Sequence, residues 1–244
     1  VKMLEDAHNI TAIDNFTDYG FLPKEETEYL FENRLKRITT PVEHMDISDR
    51  DMIYGMFQFS RPDTVIHLAA LVQVGMSHVC PMEYYRTNVV GTMNMLERVD
   101  YGNFIFASTC QAGSDHVYGS TKHMGEVIVR QYCELNDKPH TIFRFGNVAG
   151  SAGFPPTNTD GLLYNLIEAQ KTGTFKLYGN DYDTPDGTAL RDYVHVREVC
   201  YSIEKAIKYP SCVPGAETQP WYEYLGHGKL YSVSECIDAF TRVN

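Results

Sequence analysis

Along the first 147 residues the apolar positions switch repeatedly between two patterns. Four short runs, NITAID (9–14), DTVIHLAA (63–70), NFIFAS (103–108) and HTIFRFGN (140–147), are apolar on successive positions and rich in β-branched side chains. A strand that lacks in–out alternation is covered on both faces, so these runs predict buried parallel strands. Between them DRDMIYGMFQFS (49–60), PMEYYRTNVVGTMNMLERV (81–99) and GSTKHMGEVIVRQYCEL (119–135) carry a helical period. Strand, helix and strand in succession imply right-handed crossovers, hence an α/β fold with a doubly wound parallel sheet.

After Gly150 the pattern changes. GSAGFPPTNTDG (150–161) is dense in Gly, Pro and Asn and reads as a loop. LLYNLIEAQKTG (162–173) predicts a helix, FKLYG (175–179) a short strand, DYDTPDGTALRDYVHV (181–196) a long ordered loop and REVCYSIEKAIKY (197–209) an amphipathic helix. The expected division is a first domain over 1–150 and a smaller region over 151–244, with part of 191–210 packing back on the first. The opening VKMLEDAHN reads as the second half of a helix.

The chain has 244 residues, 43% hydrophobic and 22% charged, with a net charge of −11. This is ordinary globular composition with enough length for a core. The acidic balance argues against a nucleic-acid partner, which needs a basic face. It leaves open an anionic small ligand held by a local Arg and backbone N–H groups. The 6 cysteines include no C-x-x-C pair and no His cluster at metal spacing, so they predict reduced thiols in the cytoplasm and no metal site. No run of 18 apolar residues is present, so no membrane span is expected.

Candidate chemistry centres on VYGSTKHMGE (117–126), where Tyr118 and Lys122 stand at i and i+4 on one helix face. A tyrosine ionises near pH 10, too high for a base at neutral pH, and a nearby ammonium favours the phenolate. Spacing alone is not decisive, because Tyr201 and Lys205 repeat it. The context separates the two. The strand before Tyr118 ends in Ser108 and Thr109, and ligands of doubly wound sheets lie at the carboxyl ends of strands. Thr109 is then a hydroxyl donor to Tyr118. Tyr201 and Lys205 read as a solvated helix face. His67 and His195, each inside an apolar run, read as core histidines. Asp14 reads either as a ligand at a strand end or as a turn residue. Asp46 reads as a ligand or a helix cap, and Asn88 as a ligand or a buried hydrogen-bonded amide.

YGSTK (118–122), NFIFAST (103–109) and DTVIHLAALVQVGMS (63–77) together resemble the extended short-chain dehydrogenase/reductase family, whose sheet is Rossmann-like. YGNDYDTPDGTALRDYVHV (178–196), PMEYYRTNVVGTMNML (81–96) and YLGHGKLYSVSECIDAF (224–240) are similar to its UDP-glucose 4-epimerase branch. The resemblance implies NAD as cofactor, a UDP-sugar as substrate and a substrate-binding role for the smaller C-terminal region. It implies Tyr118 as base, Lys122 as the ribose-binding lysine and Thr109 as the hydroxyl that orients the sugar. By the same resemblance Asp14 and Asn15 lie at the adenosine ribose and Asp46 and Ile47 at the adenine. Ala69 and Ala70 let the backbone approach the cofactor, and Asn88 lies beside it. Asn147 and Arg191 hold the UDP. A homodimer paired through helices 81–99 and 119–135 is expected by analogy.

Three departures accompany the resemblance. No G-x-x-G-x-x-G loop is present, Thr109 and Tyr118 are separated by only eight residues, and the chain stops at CIDAFTRVN. They are expected to reflect a partial sequence, a natural deletion being the alternative. Two other readings stand beside the epimerase. A nucleotide-sugar 4,6-dehydratase needs a carboxylic acid after Thr109, where Cys110 and Gln111 stand. A non-catalytic epimerase-like subunit gives no reason to keep Thr109, Tyr118 and Lys122 together.

Overall fold

The structure, a computed structural model, describes residues 1–17, 24–151, 153, 161–215 and 221–243. In chain order the elements are β1 (Ala12–Asp14), α1 (Lys24–Leu35), β2 (Val42–His44), α2 (Arg50–Phe57), β3 (Thr64–His67) and α3 (Val74–Val79). Then come α4 (Pro81–Tyr84), a π-helical turn at Tyr85–Val90, α5 (Gly91–Arg98), β4 (Asn103–Thr109), α6 (Val117–Leu135) and β5 (His140–Phe145). The remainder holds β6 (Asn147–Ala149), α7 (Leu162–Thr172), β7 (Leu190–His195), α8 (Val196–Lys208), β8 (Glu223–Leu225), β9 (Leu230–Ser232) and α9 (Val233–Val243).

Two compact units divide the chain. The first comprises Val1–Phe16, Ile38–Phe145 and Val199–Leu225; the second comprises Thr17–Arg37, Gly146–Glu198 and Gly226–Asn244. This differs from the expected 1–150 and 151–244. Residues 199–225 join the first unit because β8 pairs with β5 and Asn103 Nδ2 donates to Ala206 O at 3.0 Å. Residues 17–37, which carry α1, fall in the second.

The first unit holds a parallel sheet in the order β3-β4-β5-β8 and a parallel pair β1-β2. All seven residues of β4 are buried, as an apolar run between two parallel neighbours requires. Its core gathers Ile53, Phe57, Met95, Leu96, Tyr101, Phe104, Phe106, Val129, Cys133 and Ile142. Burying each large side chain of this kind contributes about 1.5–3 kcal/mol. Helix α2 starts where Asp49 accepts hydrogen bonds from the N–H groups of Asp51 and Met52. Its cap is therefore Asp49, not Asp46. The opening residues 1–8 make turns (His8 N to Leu4 O, 3.0 Å) rather than a regular helix.

In the second unit β6 and β7 are parallel and β9 is antiparallel to β7. Two expectations are corrected here. Residues 175–179 form no strand: Leu177 and Tyr178 are exposed, and an extended segment without a pairing partner leaves its backbone to water. Within 181–196 only the first part is irregular, since 190–195 is strand β7.

Candidate active site

Helix α6 places the candidate chemistry. Its buried face carries Tyr118, Lys122 and Glu126 one turn apart, flanked by Thr121, Gly125 and Val129. That stripe is polar at the start of the helix and apolar toward its end. Gly125 allows a close approach to β4: a Cβ there would lie 2.6 Å from Phe106 Cζ. The connection 110–116 folds as turns against the first turn of α6. His116 Nδ1 accepts the Gly119 N–H at 2.9 Å and caps the helix. Gly113 N donates to Gly119 O at 3.1 Å.

Tyr118 is 8% exposed, and the Thr109 hydroxyl at the carboxyl end of β4 acts on its phenol. Burial pushes the phenol up to about 12, and the Thr109 hydroxyl opposes that rise. Thr109 Oγ1 also accepts the Gln111 N–H at 3.2 Å. The ring of His116 lies parallel to that of Tyr118, 6.1 Å between centroids.

Lys122 is 4% exposed, with its ammonium 4.6 Å from the centroid of the Phe106 ring. It makes no hydrogen bond among the described residues. Burial lowers it to about 8, and the Glu126 carboxylate acts in the opposite direction. The expected lowering of Tyr118 by Lys122 is therefore not what this geometry delivers. The two residues share a helix face, but the phenol meets Thr109 while the ammonium meets Phe106 and the field of Glu126.

The remaining candidates in the first unit fall into two groups. Asn88, in the π-helical turn, is fully used inside the protein. It accepts from Leu71 N (2.8 Å) and donates to Leu71 O (2.9 Å) and Thr121 Oγ1 (3.0 Å). It thus ties the loop after β3, which includes Ala69 and Ala70, to the face of α6 behind Tyr118. Asp14 ends β1 and accepts the Phe16 N–H at 2.7 Å. Asn15 Nδ2 donates to Asp46 Oδ2 at 3.2 Å, while Asp46 Oδ1 accepts from Ser48 N at 2.8 Å. Desolvation raises Asp46 and these hydrogen bonds outweigh it, leaving the carboxyl below its ordinary range. Asp14, Asn15 and Asp46 are thereby brought together beyond β1 and β2. Ile47 is buried against Gly91, where a Cβ would meet Ile47 Cδ1 at 2.6 Å.

In the second unit Asn147 Nδ2 donates to Asp192 O at 3.1 Å. Arg191 is exposed, and Asp192 accepts from His227 N (2.9 Å) and Gly228 N (3.0 Å). His195 is exposed, its Nδ1 accepting from Arg197 N, so its reading as a core histidine is corrected: it stands at the end of β7, beyond the sheet's cover. His67 is buried and bonded to Thr92 Oγ1 at 2.9 Å. Tyr201 is exposed with the Lys205 ammonium 4.7 Å above its ring. Clusters of three or more His, Cys, Asp or Glu side chains at metal-binding spacing are absent among the described residues.

Sequence reasoning missed Glu126 and Arg144, and named Ser108 only as a strand-end hydroxyl. Glu126 is fully buried and accepts from Ser108 Oγ (2.5 Å), Arg144 Nε (2.7 Å) and Arg144 Nη2 (2.6 Å). A signal was present: Glu126 continues the i, i+4 row of Tyr118 and Lys122, and Arg144 interrupts an apolar strand.

Comparison with known proteins bears on this arrangement. A UDP-glucose 4-epimerase of Erwinia amylovora is 32% identical over 278 aligned positions, which take in all of this chain and 78% of that protein. The crystal structure of the UDP-glucose 4-epimerase of Bifidobacterium longum, in complex with NAD+ and UDP, superimposes with a TM-score of 0.77 at 26% identity. That match covers 99% of this chain and 77% of the other. A dTDP-glucose 4,6-dehydratase of Streptomyces venezuelae gives a TM-score of 0.73 over 94% of this chain and 70% of its own, and at 20% identity shares the fold alone. A family profile matches residues 1–217. With its parallel α/β sheet and the Tyr118–Lys122 helix behind it, the chain belongs to the NAD dependent epimerase/dehydratase family.

Proposed function

We propose that the protein is an NAD-dependent UDP-glucose 4-epimerase, inverting C4 of a UDP-hexose through a transient 4-keto sugar. The observation that carries this reading is the buried arrangement of Thr109, Tyr118 and Lys122, the last two one helical turn apart on one face of α6. It lies at the carboxyl end of the central strand β4, where doubly wound sheets bind ligands. The similarity to UDP-glucose 4-epimerases along the whole chain supports it.

The residues present fit a dinucleotide. Lys122 makes no hydrogen bond among the described residues, so its ammonium has donors free for a ribose hydroxyl. Asp14, at the end of β1, suits the hydroxyls of an adenosine ribose and repels a 2′-phosphate, which favours NAD over NADP. Asn15, Asp46 and Ile47 belong to the same end of the β1-β2 pair and border the adenine. Ala69 and Ala70 keep the loop after β3 free of bulk. Asn88 acts indirectly, by holding that loop at Leu71. Bound NAD supplies the acceptor and donor of the C4 hydride.

Tyr118 takes the proton from the sugar 4-hydroxyl and returns it after the keto sugar turns over. Ionising a phenol held at about 12 near pH 7 costs about 7 kcal/mol. The Thr109 hydroxyl acts to offset part of that cost. Asn147 and Arg191 of the second unit are assigned to the UDP by resemblance. The dehydratase alternative lacks its acid, since Cys110 and Gln111 follow Thr109.

A homodimer formed through α4–α5 and α6 agrees with the exposed Met82, Val90, Met93 and Met124 on those helices. No helix among the described residues is long and apolar enough to cross a membrane, and all six cysteines are free, in keeping with the cytoplasm. The test is conversion of UDP-galactose to UDP-glucose by the protein and by Tyr118→Phe. Turnover should fall about 10²–10⁴-fold in the variant. Unchanged turnover would remove Tyr118 from the mechanism.

A further inference from the structure

A carboxylate with no exposed surface, set one turn beyond Lys122, is an expensive feature. Glu126 has its four acceptor sites filled: Oε1 by Ser108 Oγ (2.5 Å) and Arg144 Nε (2.7 Å), Oε2 by Arg144 Nη2 (2.6 Å) and His123 Nδ1 (3.3 Å). Arg144 is in turn held flat, with its guanidinium carbon 3.9 Å from the centroid of Tyr222 and 5.4 Å from that of Trp221. A buried ion pair of this kind adds little net stability compared with apolar packing. Its position relative to Lys122 gives it another use.

We propose that Glu126 is a positioning residue for the candidate site. Clamped to β4 by Ser108 and to β5 by Arg144, its fixed negative charge keeps the buried Lys122 a cation at neutral pH. This inference rests on the reading of Lys122 as a member of the catalytic pair.

The surroundings of Lys122 make Glu126 the one group able to do this among the described residues. Strand β4 presents Phe106 and Ser108, neither of which titrates. Strand β3 presents His67, which burial drives down to about 3 and which is therefore neutral. Strand β5 presents Arg144, a second cation. The helices α3–α5 present Asn88 and Thr92, and Tyr84, whose hydroxyl is donated to Gln73 O at 2.6 Å. On α6 itself Tyr118 is neutral and His123 is bonded to Glu126. Burial lowers Lys122 to about 8 and Glu126 raises it. Removing that one negative charge leaves Lys122 and Arg144 as two buried cations, and a like charge disfavours the charged form. Because no acceptor site of Glu126 is left for Lys122, the coupling is through the field and not through a hydrogen bond.

The test is a pH titration of the protein carrying ¹³Cε-labelled lysine, with the Lys122 resonance assigned by its loss in Lys122→Arg. The wild-type midpoint should lie near 8. In Glu126→Gln it should fall by at least one pH unit, and Glu126→Asp should recover most of that loss. Arg144→Gln removes a like charge and should move the midpoint up, while Ser108→Ala should weaken folding and leave the midpoint nearly in place. Midpoints that fail to move in opposite directions for Glu126→Gln and Arg144→Gln would overturn the proposal. If Glu126→Gln does not fold, Arg144→Gln decides; a wild-type midpoint below about 6.5 overturns it without any variant. In parallel the alkaline limb of kcat should shift to lower pH in Glu126→Gln. If the wild type does not convert UDP-galactose, the epimerase reading falls, while the titration still decides the role of Glu126.

Discussion

At the scale of single residues, the site departs from what spacing alone implies. Tyr118 and Lys122 are four apart, which makes them neighbours on a helix, yet each finds a different partner. Which partner a side chain meets depends on β4, which is remote in sequence. The same holds for His67, an imidazole driven down to about 3 by burial beside Lys122. Its folded value lies below the ordinary 6.5, so the unfolded chain binds a proton that the folded one refuses. The contribution of His67 to stability is therefore complete above about pH 6.5 and is lost as the pH falls toward 3. His67→Gln should flatten that decline between pH 6.5 and 4, read from urea midpoints. An equal acid sensitivity in both proteins would show that His67 is not its source. For Tyr118 the sign is opposite. Its folded value of about 12 exceeds the ordinary 10, so its contribution is present below pH 10 and lost as the pH rises toward 12. Ultraviolet titration of the cofactor-free protein, with Tyr118→Phe as reference, should find this phenol ionising above the ordinary tyrosine value of 10.

At the scale of elements, two close approaches decide where α6 sits. Gly125 faces Phe106 with no room for a methyl group. Overpacking of this kind costs about 1–3 kcal/mol, so Gly125→Ala should lower the unfolding midpoint and, through displacement of α6, reduce turnover. The second is Asn88, whose amide substitutes for a missing backbone partner at Leu71. Asn88→Leu should cost about 1–3 kcal/mol for each group left unpaired. If its role is to hold the loop, NAD affinity should weaken more than substrate affinity, as nucleotide and UDP titrations would reveal. Helices α2 and α6 were readable from their periodicity, and β4 from its continuous apolar run. Residues 175–179 were misread, because a β-like composition yields a strand only where another strand can pair with it.

At the scale of the whole molecule, the units are not contiguous in sequence. Residues 199–225 fold with the first and 17–37 with the second; no local pattern announces the placement of 17–37. The helices α4–α5 and α6 leave Met82, Val90, Met93 and Met124 exposed. If they form the proposed dimer, sedimentation should show a dimer for the wild type and a monomer for Val90→Asp combined with Met93→Asp. A wild type that sediments as a monomer at high concentration would remove that assignment. The amino-acid sequence by itself determined the α/β class, the buried strands β3, β4 and β5, the amphipathic helices and the candidacy of Thr109, Tyr118 and Lys122, whereas β1, also expected to be buried, is partly exposed. Those depend on periodicity, strand ends and i, i+4 spacing, all local. Tertiary structure alone decided that Asn88 is spent on Leu71, that His195 faces water and that Asp49 caps α2. It also decided that Glu126 lies clamped between Ser108 and Arg144. The physical reason is common to all of these: hydrogen bonds and burial are made across elements, so the partner of a polar side chain is chosen by packing and not by its neighbours along the chain.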